Sequence, residues 1–561
     1  MSDQPWFVHY PEGVPHKLSI PPETLVAMLS RSAQRFSRRP ALYFFGKTIS
    51  YRECSSLVER FACSLAASGI RKGDRVALCL PNSPQAVIAY FGILRAGGIV
   101  VSCNPTYTEY ELAHQLRDAG ARGIVVLDMM HQKIQPLNLE LVIVTRITDF
   151  MTTIVKYIYQ RRNARSPIEI PSSKTTIFFH DFMDRESPVT PEQLPTVSPD
   201  DIAVLQYTGG TTGVSKGAEL RHRNLVANIR QLVSWFSPTE RTESFLAALP
   251  LFHVFGMTVT QNICLAVGGC MVLVPDPRNI QMLLSVIRKK QPTVVSLVPV
   301  LVNKLLEHCT EKEFEATKFC LCGGASLSYE LLKKFKERTG QLIVEGYGLS
   351  ECSPVTHCNI ARGLSVKHSI GLPIANTEAK IVDEEGREVP LGGVGELWVR
   401  GPQVMQGYWN NPGETEKVMR PEGWFATGDM ARMDEDGFFY IVDRKKDMIL
   451  SNSGFNVYPS EIEKVLLLHP EVREAAVIGV ASEDGSESIK AIVVPSANEV
   501  PAQDLIKHCR RYLAPYKVPR HIEFRGELPR TILGKTLYRV LRKEEAERLR
   551  ASTAPSVVSG G

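Results

Sequence analysis

YTGGTTGVSKG, residues 207–217, closely follows an apolar run, Ile202, Ala203, Val204 and Leu205, that reads as a buried strand. The stretch carries four glycines, five hydroxyl side chains counting Tyr207, and a single lysine, Lys216. A strand that runs into such a loop suits a polyphosphate. Gly209, Gly210 and Gly213 let backbone N–H groups turn inward, Thr208, Thr211 and Thr212 donate hydrogen bonds, and Lys216 adds a point charge. A Walker A loop has Gly before its Lys and Ser or Thr after it. Here Lys216 stands between Ser215 and Gly217, which excludes the ordinary P-loop NTPase. The competing reading, a flexible surface connection, does not call for a TTG core and a lysine right after a buried strand.

Outward from that loop, the 561 residues predict two or more domains. With 44% hydrophobic and 22% charged residues the chain is an ordinary globular one, with enough apolar material for a large core. A net charge of +5 is small for this length and argues against a nucleic-acid partner. The twelve cysteines are scattered through apolar runs, with only Cys320 and Cys322 close together, so buried reduced thiols in a cytoplasmic protein are expected. The N-terminus, MSDQPWFVHYPEG, has neither the basic nor the apolar region of a signal peptide. The longest apolar run, near residues 263–275, is broken by Gly268 and Gly269 and is too short to span a bilayer.

From about residue 50 to 350, short β-branched runs alternate with helical patterns. Strands are expected at 75–80, 123–127, 271–275, 293–298, 319–322 and 342–344, and helices at 224–236, 280–289, 300–308 and 329–338. That alternation predicts α/β layers with largely parallel sheets. After residue 371 short strands at 378–383 and 395–400 suggest a small antiparallel, barrel-like β unit. Residues 447–547 read as a separate α+β domain. The expected division is a large domain over 1–443, a small domain over 447–547 joined to it through 444–446, and a disordered tail over 548–561. Residues 149–165, DFMTTIVKYIYQRRNAR, place Met151, Ile154, Val155, Ile158 and Tyr159 on one helical face, with Lys156, Arg161, Arg162 and Arg165 nearby. Two readings stand: a helix packing that face on the sheet, or a helix lying on an anionic membrane surface.

Five further segments accompany the loop: LPLFHVFGM (249–257), EGYGLSE (345–351), GWFATGD (423–429), YIVDRKKD (440–447) and PRTILGK (529–535). In this order and at these intervals the chain resembles the adenylate-forming enzymes from about residue 36 to 542. These include acyl-CoA synthetases, luciferases and peptide-synthetase adenylation domains. DRKKDMIL followed by SGFNVYP is most similar to bacterial long-chain fatty-acid–CoA ligases. The resemblance implies attack of a carboxylate on the α-phosphate of ATP, loss of pyrophosphate, and transfer of the acyl group from acyl-AMP to coenzyme A. Two anions must approach in the first step, so charge neutralisation is the main demand on the site.

By that resemblance, residues 208–216 hold the β- and γ-phosphates, and Glu351 with Thr208 binds Mg2+, which takes oxygen ligands. Tyr347 stacks on adenine beside Glu345, Gly346 and the backbone of Gly324. Asp429 accepts hydrogen bonds from the ribose, assisted by Arg444. Lys535 serves the adenylation step, where its ammonium stabilises bridging charge in the transition state. The small domain rotates about Lys446 between the half-reactions, and Gly454 lines the pantetheine channel. In one departure, that glycine lies one residue farther from the Asp443–Arg444 pair than in the family pattern, which makes Asn452 or a neighbour an insertion.

The acyl pocket is expected near residues 253–256, including His253 and Val254, with 296–299 and 323–326. No Arg or Lys lies in these segments to pair a second carboxylate, which favours an apolar monocarboxylic acid such as a fatty acid. Each buried CH2 contributes about 0.8 kcal/mol, so a long tunnel selects long acids. The rivals are an aryl- or cinnamate-type CoA ligase, an acyl-AMP ligase that passes the acyl group to a carrier, and an inactive acyl-binding protein. Oligomeric state stays open, with a homodimer one option. The expected location is cytoplasmic, with peripheral attachment to the inner face of a membrane as the second option.

Overall fold

The computed structural model describes every residue except 1–3, 164–167, 169, 171, 172, 174, 209–214, 326, 361–368, 451–455, 482–486, 497–499, 532, 533 and 554–561. The chain divides into two compact units, Met1–Glu378 with Val399–Phe425, and Ala379–Trp398 with Ala426–Gly561.

The first unit is built on two mixed sheets. One runs in the order Leu372–Pro373, Val355–Cys358, Ile343–Gly348, Phe319–Cys322, Val294–Leu297, Ser244–Ala247, Cys270–Leu273, Pro40–Phe44, Lys47–Ser50. The other runs Thr176–Phe178, Leu141–Thr145, Ala121–Leu127, Arg75–Cys79, Ile99–Ser102, Ile202–Thr208, Lys216–Arg221. Their central strands pair in parallel, as in Val294–Leu297 with Phe319–Cys322 and Arg75–Cys79 with Ile99–Ser102. Every residue of Phe319–Cys322, Val294–Leu297 and Ile99–Ser102 is buried. Such strands need apolar side chains on both faces, so they read as unbroken apolar runs rather than alternating ones. Helices cover the sheets, and several start at side-chain caps. Ser83 accepts from the Ala86 N–H at the start of Pro84–Arg95, and Ser328 from the Leu331 N–H at the start of Tyr329–Thr339.

A five-stranded antiparallel sheet is formed by Glu378–Val382, Gly395–Arg400, Met419–Arg420, Trp424–Met433 and Phe439–Arg444. The second unit contains the three-stranded sheet Val472–Ala481, Glu487–Pro495, His521–Phe524. Alternate residues of the latter feed opposite cores. Val477, Ile489, Ala491 and Val493 pack with Ile462, Leu466 and Leu505, whereas Ala476, Ile478, Ile492 and Val494 pack with Leu528 and Leu541. The two-residue period of a strand produces this split.

Three findings differ from expectation. The two compact units do not divide at 444–446, and Ser460 ties strand Phe439–Arg444 to helix Pro459–Leu467. Its N–H donates to Asp443 Oδ2 at 2.9 Å and its hydroxyl to the Val442 carbonyl. The last helix, Tyr538–Thr553, runs into the stretch from 548 expected to be a disordered tail. The charged pairs Lys543–Glu547 and Arg548–Glu545 on its surface support it. The third concerns helix Thr153–Asn163. Its apolar stripe is too wide to face one way. Met151 is buried just before it, and Val155 and Tyr159 are half-buried, Tyr159 with its ring 6.3 Å from that of Phe45. Ile154 and Ile158 instead point outward with Tyr157, at 76%, 46% and 57% exposure. All twelve cysteines are free thiols and eleven are buried, which agrees with the reading of their spacing.

Candidate active site

The phosphate half of the site begins at the end of strand Ile202–Thr208. Thr208 is half-buried and sits opposite Lys216, the first residue of the antiparallel strand Lys216–Arg221. Residues 209–214 lie outside the described residues, and with them the expected Gly209, Gly210, Thr211, Thr212 and Gly213. The Tyr207 hydroxyl is committed elsewhere: it donates to Asp118 Oδ2 at 2.5 Å, and its ring packs against Gly217.

The turn Ser350–Cys352 packs against both of these strands and carries Glu351. One carboxylate oxygen of Glu351 accepts from the Tyr408 hydroxyl at 2.8 Å. Burial, and then the charge of Glu351, push the Tyr408 phenol well above its ordinary pKa, so it stays a donor. Among the described residues no group of three or more His, Cys, Asp or Glu could enclose a metal ion. One carboxylate and one hydroxyl, at Glu351 and Thr208, nevertheless fit Mg2+, which keeps waters and takes phosphate oxygens.

Parallel register places the segments expected to hold adenine together. Cys322 is level with Glu345, so residues 323–325 and 345–347 leave the carboxyl ends of neighbouring strands, where open α/β sheets bind ligands. A Cβ at Gly323 would lie 3.0 Å from the Gly346 carbonyl oxygen, so the two chains approach where only glycine leaves room. Gly324 follows at φ +84°, the left-handed region. Glu345, Gly346 and Tyr347 are all half-buried. Tyr347 stands opposite His357 across the next strand pair, edge-to-face at 5.8 Å. Burial pushes His357 down to about 3, so the imidazole beside Tyr347 stays neutral above that pH.

The acyl segments also converge. The Phe255 ring would be 3.5 Å from a Cβ at Gly323, and Val298 Cγ1 3.8 Å from one at Gly324. His253 is half-buried, with Nδ1 accepting from the Phe255 N–H at 3.2 Å. Val254 is buried at 1% exposure, so Phe255 rather than Val254 is the side chain against the glycine pair. Buried Asn82 anchors this segment: its Nδ2 donates to the Ala247 and Leu249 carbonyls, both at 2.8 Å, and its Oδ1 accepts from the Leu251 N–H. Beyond it, Gly256–Asn262 is a wholly buried π-helix, a form that clusters at functional sites.

In the second unit, strand register pairs Asp429 with Arg444, and their side chains form an ion pair at 2.7 Å. Asp429 is 3% exposed and Arg444 42%, so the guanidinium holds a buried carboxylate in place. Lys446 is exposed in the turn Lys445–Asp447. Lys535 is exposed on a turn closed by an Arg530–Thr536 bridge. Thr531 N–H donates to the Lys535 carbonyl at 2.8 Å, and Arg530 Nη1 to that of Gly534 at 2.7 Å. Gly454 lies outside the described residues.

Sequence reasoning missed Tyr408 and Glu414. Glu414 pairs with Lys216 and with Lys417. Tyr408 is 57 positions from Glu351, and Glu414 is 198 from Lys216, so no local spacing signals either contact.

The AMP-binding enzyme family model matches residues 29–409, and that of the AMP-binding enzyme C-terminal domain residues 461–535. A long-chain-fatty-acid–CoA ligase of Bacillus subtilis is 42% identical, over 97% of this chain and 99% of its own. One from Yersinia pestis is 41% identical, over 97% and 98%. The crystal structure of ATP-bound MatB from Rhodopseudomonas palustris superposes with a TM-score of 0.79 at 28% identity, covering 93% of this chain and 99% of that one.

Proposed function

The chain belongs to the AMP-binding, adenylate-forming enzyme family, and from that premise we infer that it activates a long-chain fatty acid to acyl-AMP and then transfers the acyl group to coenzyme A. It is an AMP-forming acid–thiol ligase. The observation that carries the substrate class is likeness to long-chain ligases over 97% of the chain, joined to an acyl segment that lines up Phe255 and Val298 without a cation.

In the first half-reaction a carboxylate oxygen attacks the α-phosphorus and pyrophosphate leaves. Lys216 and Thr208 are assigned to the leaving phosphates, and Tyr347 with Gly324, Glu345 and Gly346 to the adenine. Asp429, oriented by Arg444, accepts from the ribose hydroxyls. Lys535 supplies the positive charge that the transition state needs most. Glu351 and Thr208 would hold Mg2+, which when bound neutralises phosphate charge. In the second half-reaction the thiol sulfur attacks the acyl carbonyl and AMP leaves. Lys446 is assigned as the hinge between the two, and Gly454 to the pantetheine arm.

Purified protein given Mg-ATP, coenzyme A and a chain-length series of acids is expected to form AMP and pyrophosphate, with kcat/KM rising toward long chains. ADP and phosphate as products would overturn the mechanism. Best turnover with aryl acids would favour the aryl rival, and acyl-AMP accumulating regardless of coenzyme A the carrier rival.

The outward face of helix Thr153–Asn163 favours one addition. Ile154, Tyr157 and Ile158 are exposed together with Arg161, whose guanidinium lies 5.2 Å from the Tyr157 ring. No described helix is long and apolar enough to cross a membrane. We read this face as a peripheral contact with anionic lipid, the phase from which a long-chain acid is drawn. Replacing Ile154 and Ile158 by Glu, or Arg161 and Arg162 by Glu, is expected to abolish sedimentation with anionic liposomes. Unchanged sedimentation removes this contact.

A further inference from the structure

Residues 405–415 lie along strand Lys216–Arg221 and reach both charged groups of the phosphate half-site. Glu219 N–H donates to the Gly407 carbonyl at 3.0 Å and Trp409 N–H to that of Gly217 at 2.8 Å, and Ala218 bridges Tyr408. Met405 N–H donates to the Glu351 backbone carbonyl at 2.7 Å. Tyr408 is the centre of this segment. Its hydroxyl donates to Glu351, its ring lies 5.4 Å from the Lys216 ammonium, and its N–H donates to Thr415 Oγ1 at 2.9 Å. Helix Pro412–Val418 then presents Glu414, whose N–H is capped by Asn411 Oδ1 at 3.2 Å.

One oxygen of Glu414 takes Lys216, and the other takes Lys417 at 2.6 Å. Lys216 and Glu414 are 15% and 22% exposed. The Lys216 and Lys417 ammoniums hold the Glu414 carboxyl down at about 2, so it is ionised throughout the working range. A permanent carboxylate therefore occupies the ammonium assigned to the leaving pyrophosphate. A carboxylate and a phosphate oxygen make the same charge-assisted hydrogen bond to a lysine, so the two compete for it.

We propose that Glu414 is an internal counter-ion for Lys216: it holds the lysine in place when no polyphosphate is bound and takes it back as pyrophosphate departs. The inference rests on the reading of Lys216 as a phosphate ligand. Without the competing carboxylate, pyrophosphate binds more tightly and leaves more slowly, so Glu414 favours product release at the expense of ground-state affinity.

The test uses the full-length enzyme and inhibition by added pyrophosphate. Glu414→Gln, which keeps the shape and removes the charge, is expected to lower the pyrophosphate inhibition constant about tenfold, the scale of one lost charge interaction. Turnover without pyrophosphatase should fall more than turnover with it. Glu414→Asp should restore the wild-type constant in part. In a Lys216→Gln background the same Glu414→Gln change should have no effect on inhibition, an outcome that a purely structural role of the helix would not produce. Unchanged or weaker pyrophosphate inhibition in Glu414→Gln overturns the proposal, as does an equal effect in the Lys216→Gln background. Wild-type enzyme that forms no acid-dependent AMP and pyrophosphate would instead overturn the parent reading.

Discussion

Lys535→Ala is expected to lower acid-dependent ATP–pyrophosphate exchange by at least roughly 10²–10³-fold, the loss typical of removing one preorganised charge donor from a transition state. Thioester formation from supplied acyl-adenylate should stay within a few-fold of wild type, because pyrophosphate has already left and Lys535 is assigned to the adenylation step alone. The variant should fold normally. Lys535 is exposed, and the turn that carries it is held by the backbone bonds of Thr531 and Gly534 and by the Arg530 guanidinium. Exposed side chains outside buried networks change stability little on truncation, within about 0.5 kcal/mol. Stopped-time assays of the two half-reactions on one preparation separate the roles. Equal loss of both would remove Lys535 from the adenylation step.

The second large effect is expected at Gly348→Ala, within the EGYGLSE segment. A Cβ there would lie 2.0 Å from the Pro354 carbonyl oxygen, 2.6 Å from its carbon and 2.9 Å from Val355 Cα. All three are backbone atoms and none can rotate away. The neighbouring Leu349 N–H donates to that same carbonyl at 3.0 Å, and buried Asn228 holds Val355 through both of its backbone groups, at 3.1 and 2.8 Å. The strand pair must open to admit the methyl. Overpacking of this kind costs about 3 kcal/mol, which should appear as a lower Tm and denaturation midpoint. Opening also displaces Tyr347 on one side and Glu351 on the other, and a shift of about 1 Å at such groups can lower kcat/KM by roughly 10²-fold. Gly413→Ala is the control. Its Cβ meets nothing within 4 Å, and it lies in helix Pro412–Val418, so stability should hold or rise slightly. A Gly348→Ala enzyme with wild-type Tm and rate would refute the close approach.

Strands such as Phe319–Cys322 and Gly395–Arg400, and helices such as Ile280–Lys290, were legible to within a residue or so because their apolar runs and periods are local properties. Strand Ile343–Gly348 was legible only as far as Val344. Its last residues, Glu345 to Gly348, are polar or glycine, and they are strand because Val355–Cys358 pairs with them. The same limit explains helix Thr153–Asn163. Its periodicity announced an apolar stripe, but which part of that stripe meets Phe45 and Gly46 and which meets solvent depends on what lies beside it.

By itself, the sequence determined the class of chemistry: a glycine- and threonine-rich loop after a buried strand, a lysine out of Walker position, and five ordered segments that belong with it. The loop is a short-range pattern, set by what a backbone needs in order to wrap a phosphate, and the segments are short strings whose order carries the family resemblance. Only the tertiary structure decided which charges face one another: Asp429 with Arg444 through strand register, Glu351 with Tyr408, and Lys216 with Glu414. Electrostatic and hydrogen-bond energies depend on distance in space, and 198 positions of chain between Lys216 and Glu414 carry no trace of a contact that two packed segments create.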